Sequence, residues 1–107
     1  MSSTQSIVDY LVDQMAKAGQ VSARKMFGEY GVYCDGKMVA LICDDQLFVK
    51  PTIAGRTFIG NPVEAPPYQG AKPCFLIPGE QWDNTDWLSE LIQLTYEELP
   101  LPKKKKK

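Results

Sequence analysis

Between Arg24 and Met38 the chain reads RKMFGEYGVYCDGKM, with glycines at 28, 31 and 36 set among aromatic residues. Glycines at such spacing can cradle a phosphate, because backbone amides approach an anion closely where no Cβ intervenes. That chemistry also needs a helix N-terminus behind the loop. Gly28-Glu29-Tyr30-Gly31 leads instead into a strand pattern, and Glu29 would repel the anion. Paired carboxylates offer acid–base chemistry at Asp44-Asp45 and Glu97-Glu98. The first pair reads as a turn tip and the second as the solvated end of a helix, and a turn tip lacks the burial that tunes a catalytic pKa. Cys34, Cys43 and Cys74 are odd in number and contain no C-x-x-C, so neither a zinc knuckle nor a redox motif is spelled out. They read as small buried hydrophobes. The chain has no histidine, which removes Ser-His and Cys-His nucleophile pairs and the commonest metal ligand. No catalytic, cofactor-binding or metal-ligating residue is assigned, and the expectation is a protein that is not an enzyme and carries no cofactor.

The other chemistry within reach is polyanion binding. Net charge is −1, yet Lys103, Lys104, Lys105, Lys106 and Lys107 are five of the twelve basic residues. The rest of the chain holds seven basic against thirteen acidic residues, a net −6. An acidic body with a cationic tail lacks the basic stripe of a nucleic-acid reader. Phe58, Tyr68, Trp82, Trp87 and Tyr96 could stack bases if interleaved with cations, but their neighbours are mostly acidic residues or proline. They read as core and loop packing.

The elements that would position these groups are legible from periodicity. A chain of 107 residues makes one domain with one core, here residues 1–102, followed by a disordered polylysine tail at 103–107. Ile7, Val8, Leu11, Val12 and Met15 form one apolar stripe of a helix from about Thr4 to Ala18. Ser3 or Ser6 would cap it, and Gly19 would end it in the left-handed conformation. A strand at about Ser22–Phe27 follows, with Gly28 and Gly31 bulging or turning the backbone into Gly31–Cys34. Asp35-Gly36 is a two-residue hairpin signal leading to Lys37–Cys43, and a turn near Asp44-Asp45 leads to Leu47–Lys50. Pro51 ends that strand. Thr52–Gly60 predicts a short helix, NPVEAPPYQGAKP an irregular connector, Pro73–Ile77 a strand and Asp83–Leu99 a last helix. Asp83 and Asp86 suit that helix's N-terminus, and Leu88, Leu91, Ile92, Thr95 and Leu99 make its inner stripe. The class is α+β: a two-layer antiparallel sheet with flanking helices, in the order α, three or four β, α, one or two β, α. No apolar run approaches a membrane span, and the N-terminus is not a signal peptide, so the expected location is the cytoplasm with no membrane partner.

With Asp35-Gly36 as the turn, Val32 would face Val39 and Tyr30 would face Leu41. Tyr30, Val32, Cys34, Val39, Leu41, Cys43 and Phe48 would share one face, and Tyr33, Met38, Ala40, Ile42, Leu47 and Val49 the other. Both faces are apolar, whereas a sheet with one wet side alternates apolar and polar residues. The second face is either covered by the central helix and the proline-rich loop or open for self-association or a ligand.

Arg24-x-Met26-Phe27-Gly28-x-x-Gly31-x-Tyr33-x-Asp35-Gly36-x-Met38-x-Ala40-Leu41, followed by Leu47-Phe48-x-Lys50, resembles the N-terminal domain of the TfoX/Sxy family of bacterial competence regulators. The likeness covers about residues 4–99. It implies a fold similar to the type III secretion chaperones, with the motif glycines as fold determinants rather than ligand clamps. It implies no catalytic residue. Full-length TfoX-like regulators carry a second, helical domain and promote competence-gene transcription with the catabolite activator protein, so this sequence reads as a stand-alone relative. The expected function is a regulatory protein-interaction module with a protein partner and a possible homodimer. The alternative is a nucleic-acid-associated protein making weak, non-specific contacts through Lys103 to Lys107.

Overall fold

The computed structural model describes residues 5–26 and 29–99. Ser3, Thr4, Phe27, Gly28 and the lysines from Lys103 to Lys107 lie outside the described residues. Helix α1 spans Gln5–Gln14, and a 3-10 turn spans Ala16–Ala18. Strands β1 (Val21–Met26), β2 (Glu29–Cys34), β3 (Lys37–Cys43) and β4 (Gln46–Val49) form a meander. Helix α2 (Ile53–Ile59), strands β5 (Val63–Ala65) and β6 (Cys74–Ile77), a 3-10 turn at Gly79–Gln81 and helix α3 (Thr85–Glu98) complete the chain. The six strands make one open sheet in the order β1-β2-β3-β4-β6-β5, antiparallel throughout. The α+β class read from the sequence is the class observed. β5 lies within the stretch expected to be irregular.

One face of the sheet carries all the helices. Val8 and Leu11 of α1, Met15 just after it, and Leu88, Leu91 and Ile92 of α3 are buried against Val32, Ile42, Leu47, Phe75 and Ile77. Thr95 is buried too, its hydroxyl donating to the Leu91 carbonyl at 2.8 Å. Helix α2 packs against α3, and a Cβ on its Gly55 would lie 3.4 Å from both Leu91 and Phe75.

The hairpin register differs from the expected one. Asp35 and Gly36 form the turn, with φ +48° and +90°, and Tyr33 pairs with Met38. A bulge then intervenes: Val32 pairs with Ala40, and Tyr30 with Ile42. Val39 is the extra residue, and it is buried in the main core together with Ala40. The bulge keeps two successive apolar side chains on the helix side and reverses the alternation beyond them. Leu41, Cys43 and Phe48 therefore leave the face of Tyr30 and Val32. They form a second, smaller cluster on the opposite face with Cys74, flanked by Met38, Ala65 and Leu76. The proline-rich loop, not the central helix, lies over that face.

Two end-to-end locks join the helix layer. Thr52 caps α2, its hydroxyl accepting from the Gly55 amide at 2.9 Å. The Glu98 carboxylate of α3 also accepts from the Ile53 and Ala54 amides at 2.8 and 2.9 Å. In turn, Lys37 of β3 donates to the Tyr96 and Leu99 carbonyls at 2.8 and 2.7 Å, with its ammonium 4.2 Å from the Tyr96 ring centre. A cation thus satisfies the carbonyls left over at the C-terminus of α3.

Two further expectations are corrected. The N-cap of α3 is Asn84, whose side chain accepts from the Trp87 amide at 3.1 Å. Asp83 stands before that cap and accepts from the Tyr10 hydroxyl, whereas Asp86 lies in the first turn of α3 as expected and also pairs with Lys17 at 2.7 Å. Gly19 follows the 3-10 turn at φ +151°, ψ −154°, a mirror-image extended conformation rather than the left-handed helical one. A Cβ there would lie 2.8 Å from the Asp35 carboxylate. That closeness lets Asp35 accept from the Gln20 amide at 3.0 Å and tie the hairpin turn to the start of β1.

Candidate interaction face

Part of the motif read between Arg24 and Lys50 gathers on the sheet face away from the helices, while its Ala40 and Leu47 pack in the main core. Ser22, Arg24 and Met26 of β1 pair with Tyr33, Gly31 and Glu29 of β2, so their side chains share that face. The Arg24 guanidinium lies over the Tyr33 ring, 5.3 Å from its centre. Gly31 makes room in the middle. A Cβ on it would meet the Met26 sulfur at 2.7 Å and the Met38 methyl at 3.0 Å, with Tyr33 at 3.4 Å. The absent side chain lets two methionines and an aromatic ring close over the strand. Asp35 and Gly36 stand at the turn beside this patch.

Beyond the methionines the face opens into two adjoining hollows. One, of about 480 Å³, is lined by Met26, Glu29, Tyr30, Leu41, Cys43 and Tyr68. The other, of about 300 Å³, shares Met26, Leu41 and Tyr68 and adds Met38, Lys50, Lys72 and the flanking prolines. Tyr68, on the proline-rich loop, is 56% exposed. The floor is apolar, and the rim carries Lys50 and Lys72. Six motif residues, Arg24, Met26, Gly31, Tyr33, Met38 and Lys50, therefore lie on one surface. Phe27 and Gly28 lie outside the described residues. Tyr68 and Lys72 belong to the site although their spacing says nothing of it. Only the fold brings their loop across the meander.

The thiols on this face are held neutral. Burial first, then Glu29, Cys74 and Asp44, pushes the Cys43 thiol up to about 11. Burial likewise raises Cys74 on this face and, within the main core, Cys34. A thiol with a raised pKa is a weak nucleophile at neutral pH, so these groups supply apolar lining. Among the described residues, no grouping of three or more Cys, Asp or Glu could hold a metal ion. The arrangement supports contact: flexible thioethers and an exposed phenol over an apolar floor, with cations at the edge.

Comparison with known proteins bears on the motif directly. Residues 13–99 match the TfoX N-terminal domain. The chain belongs to the TfoX N-terminal domain family. It is also 36% identical over 106 residues to an "Uncharacterized 12.7 kDa protein in trpE 5'region" of Spirochaeta aurantia, a match covering 99% of this chain and 91% of that protein. The TfoX match spans β1 through α3, so it includes both the motif patch and the loop that overhangs it. No helix among the described residues is long and apolar enough to cross a membrane.

Proposed function

We propose that this TfoX-type domain is a non-enzymatic regulatory module, and that the sheet face bearing Arg24, Met26, Tyr33, Met38 and Tyr68 docks a protein partner. One observation carries the reading. Six of the family motif residues, spread over 27 positions of sequence from Arg24 to Lys50, lie together on a surface with an apolar, partly open floor, while Ala40 and Leu47 of the same motif pack in the main core. A structural motif alone would be satisfied within the core, whereas these side chains stand opposite it. Methionines at a binding face adapt to a partner's shape, and an aromatic at its edge supplies contact area at low entropic cost. The family points to transcriptional control of competence-type genes as the setting, with the domain acting through protein contact.

The test is affinity capture from the cell of origin, with nuclease treatment, using the parent chain and Met38→Lys. Met38 is half-buried, so a lysine there can reach water along the hollow without crossing the core. The reading expects a specific protein to be recovered by the parent and lost with Met38→Lys while the melting curve is kept. The same recovery by both, or loss of all partners on nuclease treatment, would count against it.

A further inference from the structure

The sheet ends on β1, and among the described residues no strand lies beyond it. The alternation of its backbone groups follows from one bond. The Gln20 carbonyl accepts from the Asp35 amide at 2.9 Å. Gln20, Ser22, Arg24 and Met26 therefore bond toward β2, and Val21, Ala23 and Lys25 turn their N–H and C=O groups outward. The opposite edge, β5, has only three residues, against six in β1.

Charged residues on an edge commonly blunt it against pairing, and Arg24 and Lys25 stand here. Their surroundings change that reading. On the helix side a groove of about 460 Å³ runs between α1 and β1, with Asp9 and Asp13 beside Val12, Val21 and Ala23. On the other side a hollow of about 600 Å³ holds Asp35 beside Ser22, Arg24 and Tyr33. A strand laid along β1 would place alternate side chains in these two spaces, and each space offers a carboxylate to an incoming cation.

We propose that β1 pairs antiparallel with β1 of a second copy of this chain, centred on Ala23, so that two six-stranded sheets become one. In this register Ala23 meets its own counterpart, Val21 stands opposite Lys25 of the second copy, and Ser22 opposite Arg24 of the second copy. No like charges are directly opposed. Lys25 of the second copy enters the groove of Asp9 and Asp13, and Arg24 of the second copy enters the hollow of Asp35. The outward groups of Val21, Ala23 and Lys25 then supply about six backbone hydrogen bonds across the seam. A uniformly acidic strand would be repelled by three carboxylates. β1 itself carries the two cations where the two spaces call for them.

The docking face for a protein partner and this seam share Arg24 and Tyr33, so the test uses Met38 and Lys25, each of which belongs to one of them alone. Sedimentation of the parent chain across micromolar concentrations should show a dimer. Lys25→Pro removes an outward amide and leaves the β1–β2 ladder intact, as proline is tolerated on an edge. It should weaken self-association about tenfold or more, while Met38→Lys remains dimeric. A monomeric parent, or a Lys25→Pro dimer as tight as the parent's, would overturn the proposal. Should Lys25→Pro fail to fold, amide hydrogen exchange of the parent decides. Val21, Ala23 and Lys25 should be protected in the dimer and exchange on dilution, and fast exchange in the dimer would overturn it.

Discussion

Gly36 and Lys37 sit side by side at the hairpin turn and do different work. Gly36 holds φ +90° with open space around it, so a substitution there is opposed by the backbone alone. Gly36→Val should cost roughly 1–3 kcal/mol, the range for a side chain forced into a sparsely populated backbone region. An unchanged midpoint in chemical denaturation would contradict the turn assignment. Lys37 is 8% exposed and bonds two carbonyls of α3. Lys37→Met keeps the stem but leaves those carbonyls without their cation, and should cost about 1.5–3 kcal/mol, as for hydrogen bonds to charged groups. Denaturant titration of the two variants separates a local turn effect from a long-range one. The turn was legible in the sequence because Asp-Gly has its own backbone chemistry. The lock was not, because Lys37 and Leu99 are far apart in the chain and nothing in a lone lysine announces a helix end.

At the scale of elements, the junction of α2 and α3 should respond to acid. The Ala54 and Ile53 amides hold the Glu98 carboxyl below its usual range. A carboxylate whose folded pKa is depressed stabilises the fold above its unfolded value, and the effect is lost as pH falls through the folded one. The parent should therefore melt above Glu98→Gln at neutral pH, with the difference shrinking below about pH 4. A gap that widens on acidification would contradict this bond. The other element-scale lesson is the bulge. Four strands to within about a residue, the Asp35-Gly36 turn and the two-faced apolar pattern were readable from residue types, whereas β2 begins at Glu29 rather than at Gly31. The insertion at Val39 was not, because a bulge between apolar residues changes no residue type, only which face each side chain takes. That one residue moved Leu41 and Cys43 off the core face. β5 escaped notice for a different reason: Val63–Ala65 is too short to show alternation among prolines.

Across the whole molecule, charge divides an acidic body from the lysines at 103–107. If those lysines meet a polyanion, five contacts give a log–log salt slope of roughly −3.5 to −4.5, so doubling the salt should weaken binding about tenfold or more. Deleting them should abolish gel-shift binding with the melting curve unchanged. A truncated chain that still prefers a defined duplex would make the body a nucleic-acid reader. The body itself has two apolar faces with unequal tasks, one sealed by three helices and the other overhung by a single loop. Family membership could be read from the motif, but its convergence on the loop-covered face required the register. Adjacent positions test this division most directly: denaturation of Ile42→Lys and Leu41→Lys, followed by partner capture with whichever folds. Ile42 is fully buried beneath the helices and Leu41 lines the outer hollows. The account predicts that Ile42→Lys has no cooperative transition, since the core cannot take an unpaired charge. It predicts that Leu41→Lys keeps its transition and loses the partner. A folded Ile42→Lys beside an unfolded Leu41→Lys would contradict it.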